Sequence, residues 1–215
     1  MANMGLDGRV APVTGANHGI GAATAEALAI QGAAVFVTYL RLPADPDHGG
    51  DPAHARYQHI RAHAADEAAR RIHELGGRAT AWEADLADPA TVPALFDRVE
   101  AALGPVEVLV NNADHCDPDT LRPSQTTPER SPSGTPVRNF TAASFDRHVA
   151  VNCRATGLLM AEFASRHAAR GASWGRIVNL STDGAPVFQG EISYGATKYA
   201  IESSTRSRLV ADASV

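Results

Sequence analysis

The stretch RVAPVTGANHGIGAATAEALAIQGAAVFVTYL, residues 9–40, leaves few folds open to the chain. Residues 9–13 are short and apolar, 14–21 are glycine-rich, and 20–31 are Ala/Leu-rich with helical periodicity. Gly32 ends that helix, and Val35–Tyr39 is β-branched and aromatic. Strand, tight turn, helix and strand within about thirty residues make a βαβ unit, the building block of a parallel sheet. The rhythm repeats. A helix is expected over 53–75, closed by Gly76 and Gly77, then a strand over 79–85 and a helix over 89–103. VEVLVNN (106–112) reads as a strand buried on both faces, 142–169 as one long helix, GRIVNLS (175–181) as the fifth strand, and Tyr194 to about Val210 as a final helix. Alternation of this kind predicts an α/β, doubly wound sheet with ligands at the carboxyl ends of its strands.

Two stretches break the pattern. Residues 42–52, LPADPDHGGDP, form a turn-laden insertion after the second strand. Residues 114–139 are polar and carry five prolines after the fourth strand. A loop of that length is either a cover over a substrate or a surface excursion, and the sequence leaves both open.

Composition narrows the function classes. A chain of 215 residues, 44% hydrophobic, supports one domain, 1–215. A net charge of -5 leaves no broad basic surface for a phosphate backbone, although Arg61, Arg70, Arg71 and Arg78 cluster locally, so nucleic acid is excluded as a partner. No apolar run approaches the roughly 18 to 20 residues of a membrane span, and MANMGLDGRV lacks the charged and apolar halves of a signal peptide. A soluble, cytoplasmic protein is expected. Cys116 and Cys153 are too few for a disulfide framework and are read as reduced. His59 and His63 share a helical spacing, but no further ligand completes a metal set, and none is expected.

The turn TGANHGIG explains what the sheet could hold. Gly15 permits the tight exit from the strand, Gly19 lets backbone approach a pyrophosphate, and Gly21 allows the helix to pack close. The amides and positive end of the helix would face the phosphate charge. At the end of the second strand, where a carboxylate would select NAD, the chain has Tyr39. Arg41 and His18 stand close in sequence, so NADP(H) is the expected cofactor, with NAD the alternative and a solvent-facing Arg41 the competing reading.

These residues, with others in order, resemble the short-chain dehydrogenases/reductases. TGANHGIG resembles that family's cofactor loop, ADLAD (84–88) its adenine-contacting segment at Asp85, and NNAD (111–114) its NNAG. AVN (150–152) resembles the segment bearing its active-site Asn, and NLSTDG with SYGATK its Ser and Tyr-x-x-x-Lys elements. The resemblance implies a Rossmann-type fold and cofactor contacts at Gly15, Asn17, His18, Gly19, Ile20, Gly21, Tyr39, Arg41, Asp85, Leu86, Asn112, Ala113, Tyr194 and Lys198. It also implies a catalytic set of Asn152, Ser181, Tyr194 and Lys198 acting on a small-molecule carbonyl or secondary alcohol. Helices near 90–103 and 141–169 lie where such proteins form homodimers or homotetramers.

The chemistry is consistent with that set. A phenol titrates near 10 and needs a cation to stabilise its phenolate, and Lys198, one helical turn from Tyr194, supplies it. In the resemblance Lys198 also holds the nicotinamide ribose, Asn152 anchors a water reaching Lys198, and Ser181, rather than its neighbour Thr182, polarises the carbonyl. Three departures stand against the pattern. Asp114 replaces the last glycine of NNAG, bringing a negative charge and the backbone demand of that glycine. Glu107 stands where Asp is usual. After the tyrosine helix the sequence reads TRSRLVADASV where the family adds further strands, so a shortened chain with an exposed sheet edge is expected. A nucleotide-binding or interaction protein without catalysis is the rival reading.

Overall fold

The computed structural model describes residues 5–43, 52–122, 130–131, 135–183 and 190–207. Its centre is a parallel sheet of five strands: β1 (Val10–Val13), β2 (Ala34–Tyr39), β3 (Arg78–Glu83), β4 (Val108–Asn111) and β7 (Arg176–Asn179), in the order β3-β2-β1-β4-β7. Strands β5 (Asp119–Thr120) and β6 (Arg138–Asn139) pair with each other as a separate parallel ribbon. The chain leaves β1 toward β2 and β3 on one side and returns to place β4 and β7 on the other. That reversal opens a crevice at the carboxyl ends of β1 and β4, the expected ligand position in such sheets.

Side chains alternate across the sheet, as pleating requires. Val10, Phe36 and Leu109 face one core, where they pack with Leu95, Phe96 and Val99 of α4 (Thr91–Leu103) and with Leu159 and Phe163 of α6 (Thr156–Ala169). Ala11, Val13, Val35, Val37, Val108 and Val110 face the other, against Ala25 and Ala29 of α1 (Gly19–Ile30) and Ile72 of α3 (Asp66–Glu74). Both faces of β1, β2 and β4 are therefore dry, which is why these segments read as unbroken apolar runs. At one edge β7 is less covered: Val178 is 47% exposed.

Two helices differ from their expected form. The stretch 53–75 is two helices, α2 (Pro52–Arg61) and α3, not one. His59 and Arg61 lie in the last turn of α2, while Asp66 and Glu67 lie in the first turn of α3. Each charge set suits the dipole of its own terminus, and the His63 carbonyl between them accepts a 2.9 Å hydrogen bond from Asn17 Nδ2. The rings of His59 and His63 stand edge to face at 4.4 Å. The stretch 142–169 is continuous but changes gauge: α5 (Ala142–His148), capped by Thr141 Oγ1 receiving Ser144 N at 3.1 Å, passes into a π-helical segment (Val149–Ala155) before α6. Such wide turns are rare and often mark functional positions. Helix α7 (Ile192–Arg206) ends four residues before the expected boundary at Val210, which lies outside the described residues, as do most of the insertion at 42–52, parts of the 114–139 loop and Gly184. No described helix is long and apolar enough to cross a membrane.

Candidate active site

The crevice holds a cavity of about 320 Å³. Its floor is the turn between β1 and α1. Gly15 has φ +62, and a Cβ there would lie 2.7 Å from Ala113 Cα, so only glycine lets the turn pass this close to the end of β4. At Gly21 a Cβ would come within 2.5 Å of both Asn112 Nδ2 and Gly15 O. Asn112 ties the two strands: its Nδ2 donates to Thr14 O and Gly15 O, each at 2.9 Å. Thr14 Oγ1 receives the amides of Asn112 and Ala113 at 3.0 Å. The first turn of α1 contains no acidic residue, and His18 at its N-cap position makes no side-chain cap bond. Gly15, Asn17, His18, Gly19, Ile20 and Gly21 all line the cavity, as do Tyr39, Asp85, Leu86, Asn112 and Ala113.

Arg41 does not. It lies on the exposed side of the β2 end, where its guanidinium forms a two-pronged pair with Glu83 at 2.6 and 2.9 Å. Glu83 is the register partner of Tyr39 across β2 and β3, so a carboxylate stands beside this strand end after all, neutralised by Arg41. Among the described residues, the permanent cations that line the cavity are Arg61, from the end of α2, and Arg147, from α5. Arg147 contacts Asp85 at 3.3 Å, and Asp85 Oδ1 also accepts Ala87 N at 2.9 Å. Burial, and then the charge of Arg61, pull His18 below the ordinary imidazole range against the opposing effect of Asp114.

Past the end of β4 the catalytic candidates gather. Tyr194 and Lys198 are on the same side of α7, with Lys198 Nζ 5.4 Å from the centre of the Tyr194 ring. Lys198 is 2% exposed, and its Nζ donates to Leu180 O at 3.0 Å. Both groups meet Asp114, a cavity-lining residue: Tyr194 Oη donates to Asp114 Oδ2 at 3.2 Å, and Lys198 Nζ lies 3.3 Å from the same oxygen. Asp114 does so without a left-handed backbone, since no described non-glycine residue has positive φ. The backbone demand expected from the glycine pattern is absent. Burial, followed by the charge of Asp114, drives the Tyr194 phenol well above its ordinary range.

Asn152, fully buried in the π segment, clamps the chain next to Asp114: its Oδ1 accepts His115 N at 2.8 Å and its Nδ2 donates to His115 O at 3.0 Å. It also donates to Thr197 Oγ1 at 2.9 Å, beside Lys198. Its side chain therefore links the segment after β4 to α7. Ser181 Oγ donates to Glu202 Oε1 at 2.8 Å, so its hydroxyl and that of Tyr194 have different carboxylate acceptors.

One residue escaped sequence reading. Asp119, on β5 and 1% exposed, accepts Ser193 N at 2.9 Å through Oδ1 and the Ser193 hydroxyl through Oδ2. A carboxylate from the 114–139 loop thus caps the first turn of α7, next to Tyr194. Only the loop's position after β4 hinted at this. Asp119→Ala leaves two buried donors without their acceptor, at about 1–3 kcal/mol for each. A Tm loss of roughly 4–24 °C is expected by thermal unfolding, with Asp119→Asn recovering most of it through the retained carbonyl oxygen.

Comparison with known proteins agrees with this architecture. Residues 50–211 match the model of the short chain dehydrogenase family. A short-chain type dehydrogenase/reductase of Picea abies is 34% identical over 209 residues, covering 94% of this chain and 64% of its own length. A cis-4-hydroxycyclohexanecarboxylate dehydrogenase of Sinomonas cyclohexanicum is 34% identical over 204 residues, covering 94% and 66%. Among solved structures, a 3-oxoacyl (acyl-carrier-protein) reductase of Agrobacterium tumefaciens C58 with NADP bound superposes with a TM-score of 0.66 at 28% identity, covering 91% of this chain and 61% of that one. The chain thus spans somewhat less than two thirds of the length of these relatives. With a family match over three quarters of its sequence and a parallel sheet of the expected kind, the chain belongs to the short chain dehydrogenase family.

Proposed function

We propose that the chain is an NADP(H)-dependent oxidoreductase that interconverts a carbonyl and a secondary alcohol, with Tyr194 as its acid and base. One observation carries the reading: Tyr194 and Lys198, though not themselves lining the cavity, converge on Asp114, a lining residue of a cavity whose floor is a glycine cradle that a Cβ would fill. The uncapped first turn of α1 and the close approach of Gly15 to Ala113 suit a dinucleotide pyrophosphate. Gly15, Asn17, His18, Gly19, Ile20 and Gly21 would hold the phosphates, Asp85 and Leu86 the adenine side, and Asn112 and Ala113 the central ribose region. The nucleotide would supply the hydride.

The protein's own part is proton transfer. Tyr194 gives its hydrogen to the carbonyl oxygen or takes it back, and Lys198, fixed by Leu180 O, offsets the charge that the phenolate oxygen then carries. Asn152 acts at one remove, holding the His115 backbone and Thr197 on either side of the pair. With its hydroxyl on Glu202, Ser181 would have to release that bond to orient a carbonyl. This favours a second reading, a nucleotide-binding protein without catalysis.

NADP(H) is preferred over NAD(H) because Tyr39 ends β2 and Arg61 and His18 border the same cavity. Since Arg41 is engaged by Glu83 and burial disfavours a charged His18, Arg61 is the permanent cation for a 2′-phosphate. Equilibrium titration should find NADPH bound more tightly than NADH. Arg61→Ala should weaken NADPH by roughly 10- to 100-fold, the worth of a charge-assisted bond, with little change for NADH. Binding of neither nucleotide would sink both readings. Binding without hydride transfer across a panel of aldehydes and ketones would favour the second.

A further inference from the structure

Asp114 holds two groups that the proposed chemistry needs elsewhere. Its Oδ2 accepts the Tyr194 hydroxyl at 3.2 Å and sits 3.3 Å from Lys198 Nζ. The lysine is 2% exposed at its side chain and the aspartate 37%, so the ammonium is enclosed while the carboxylate has a route to water. The main chain on its far side is fixed: His115 is clamped through both its amide and its carbonyl by buried Asn152. Nothing about Asp114's backbone requires this residue, since its φ is not positive. The carboxylate is placed by its neighbours and differs from a bystander in touching both reacting groups with one oxygen.

We propose that Asp114 is a positioning residue that restrains the Tyr194–Lys198 pair, its carboxylate holding the phenol hydrogen and the ammonium charge that a substrate oxygen would otherwise use. The inference rests on the assignment of Tyr194 as acid and base. In this arrangement Lys198 is shared between a carboxylate and the phenol, and its ability to stabilise a phenolate is reduced. Among the described residues, ionisable groups that act on Tyr194 include Asp114 and Cys116 from the segment after β4, Glu191 at the start of α7, and Lys198 one turn on. Three of these four disfavour a phenolate, and Asp114 ranks first among them after burial itself. Replacing it with a neutral group removes the largest charge opposing the phenolate and leaves burial and the weaker pair, Cys116 and Glu191.

The test is a tyrosine titration that needs no turnover. Protein labelled with carbon-13 at tyrosine Cζ contains four such residues, and Tyr194→Phe identifies the resonance of Tyr194. In Asp114→Asn and Asp114→Gly the Tyr194 resonance should titrate below its position in the native chain. An unchanged or higher titration in both variants would overturn the proposal, because a merely structural aspartate would not move it. A parallel assay of alcohol oxidation with NADP as oxidant should show the alkaline rise of kcat displaced the same way. If the resonance moves while no variant oxidises any alcohol, the restraint stands and the assignment of catalysis falls. If activity is present but neither the resonance nor the rate profile moves, the assignment stands and the restraint falls.

Discussion

Tyr194→Phe is expected to lower kcat for carbonyl reduction by about 10²- to 10⁴-fold, the contribution typical of a positioned proton donor. The fold should survive, because the ring stays against Lys198 while the bond to Asp114 is lost. Nucleotide affinity should change by less than the rate does, since the glycine turn, the open first turn of α1 and Arg61 are untouched. The measurement is steady-state reduction of a responsive ketone together with NADPH titration of the same preparation. A variant with kcat within a factor of ten of the native value would remove Tyr194 from the proton path.

Gly15→Ala is expected to abolish measurable nucleotide binding and to destabilise the fold. Two costs coincide at this position. An alanine at φ +62 pays the penalty of left-handed backbone, and its Cβ would sit 2.7 Å from Ala113 Cα, where no rotamer can relieve the contact. Together they amount to about 3 kcal/mol, and a Tm loss of roughly 6–12 °C follows for a chain of this size. Relief requires β1 and β4 to separate at their carboxyl ends, which would also break the Asn112 ties that shape the cavity floor. Normal thermal stability in this variant would mean that the turn follows another course.

The sheet was readable because its three central strands are buried on both faces and the glycine turn is local chemistry. The same locality made the motif residues legible as an ordered set. Side-chain partners were less so. Arg41 follows Tyr39 by two residues, which suggested a phosphate contact, yet β3 brings Glu83 alongside and captures it. Arg61, twenty residues further on, reaches the cavity because α2 and α3 are separate helices. The break did have a sequence signal: basic residues at 59 and 61 followed by acidic ones at 66 and 67 mark a helix end and a helix start. The π segment around Asn152 had none, because its residues suit an ordinary helix equally well. Asp119 and Ser193 meet across seventy-four positions, a pairing no local pattern encodes.

That last pairing bears on attempts to re-engineer this chain. The connection after β4 is a place where a segment from another protein could be joined. A graft that begins before Thr120 would discard the carboxylate seating the first turn of α7, and the replacement would then re-aim Tyr194. Transplants joined after Thr120 and before Arg138 keep the β5–β6 ribbon and its anchor, and with them the seating of the first turn of α7.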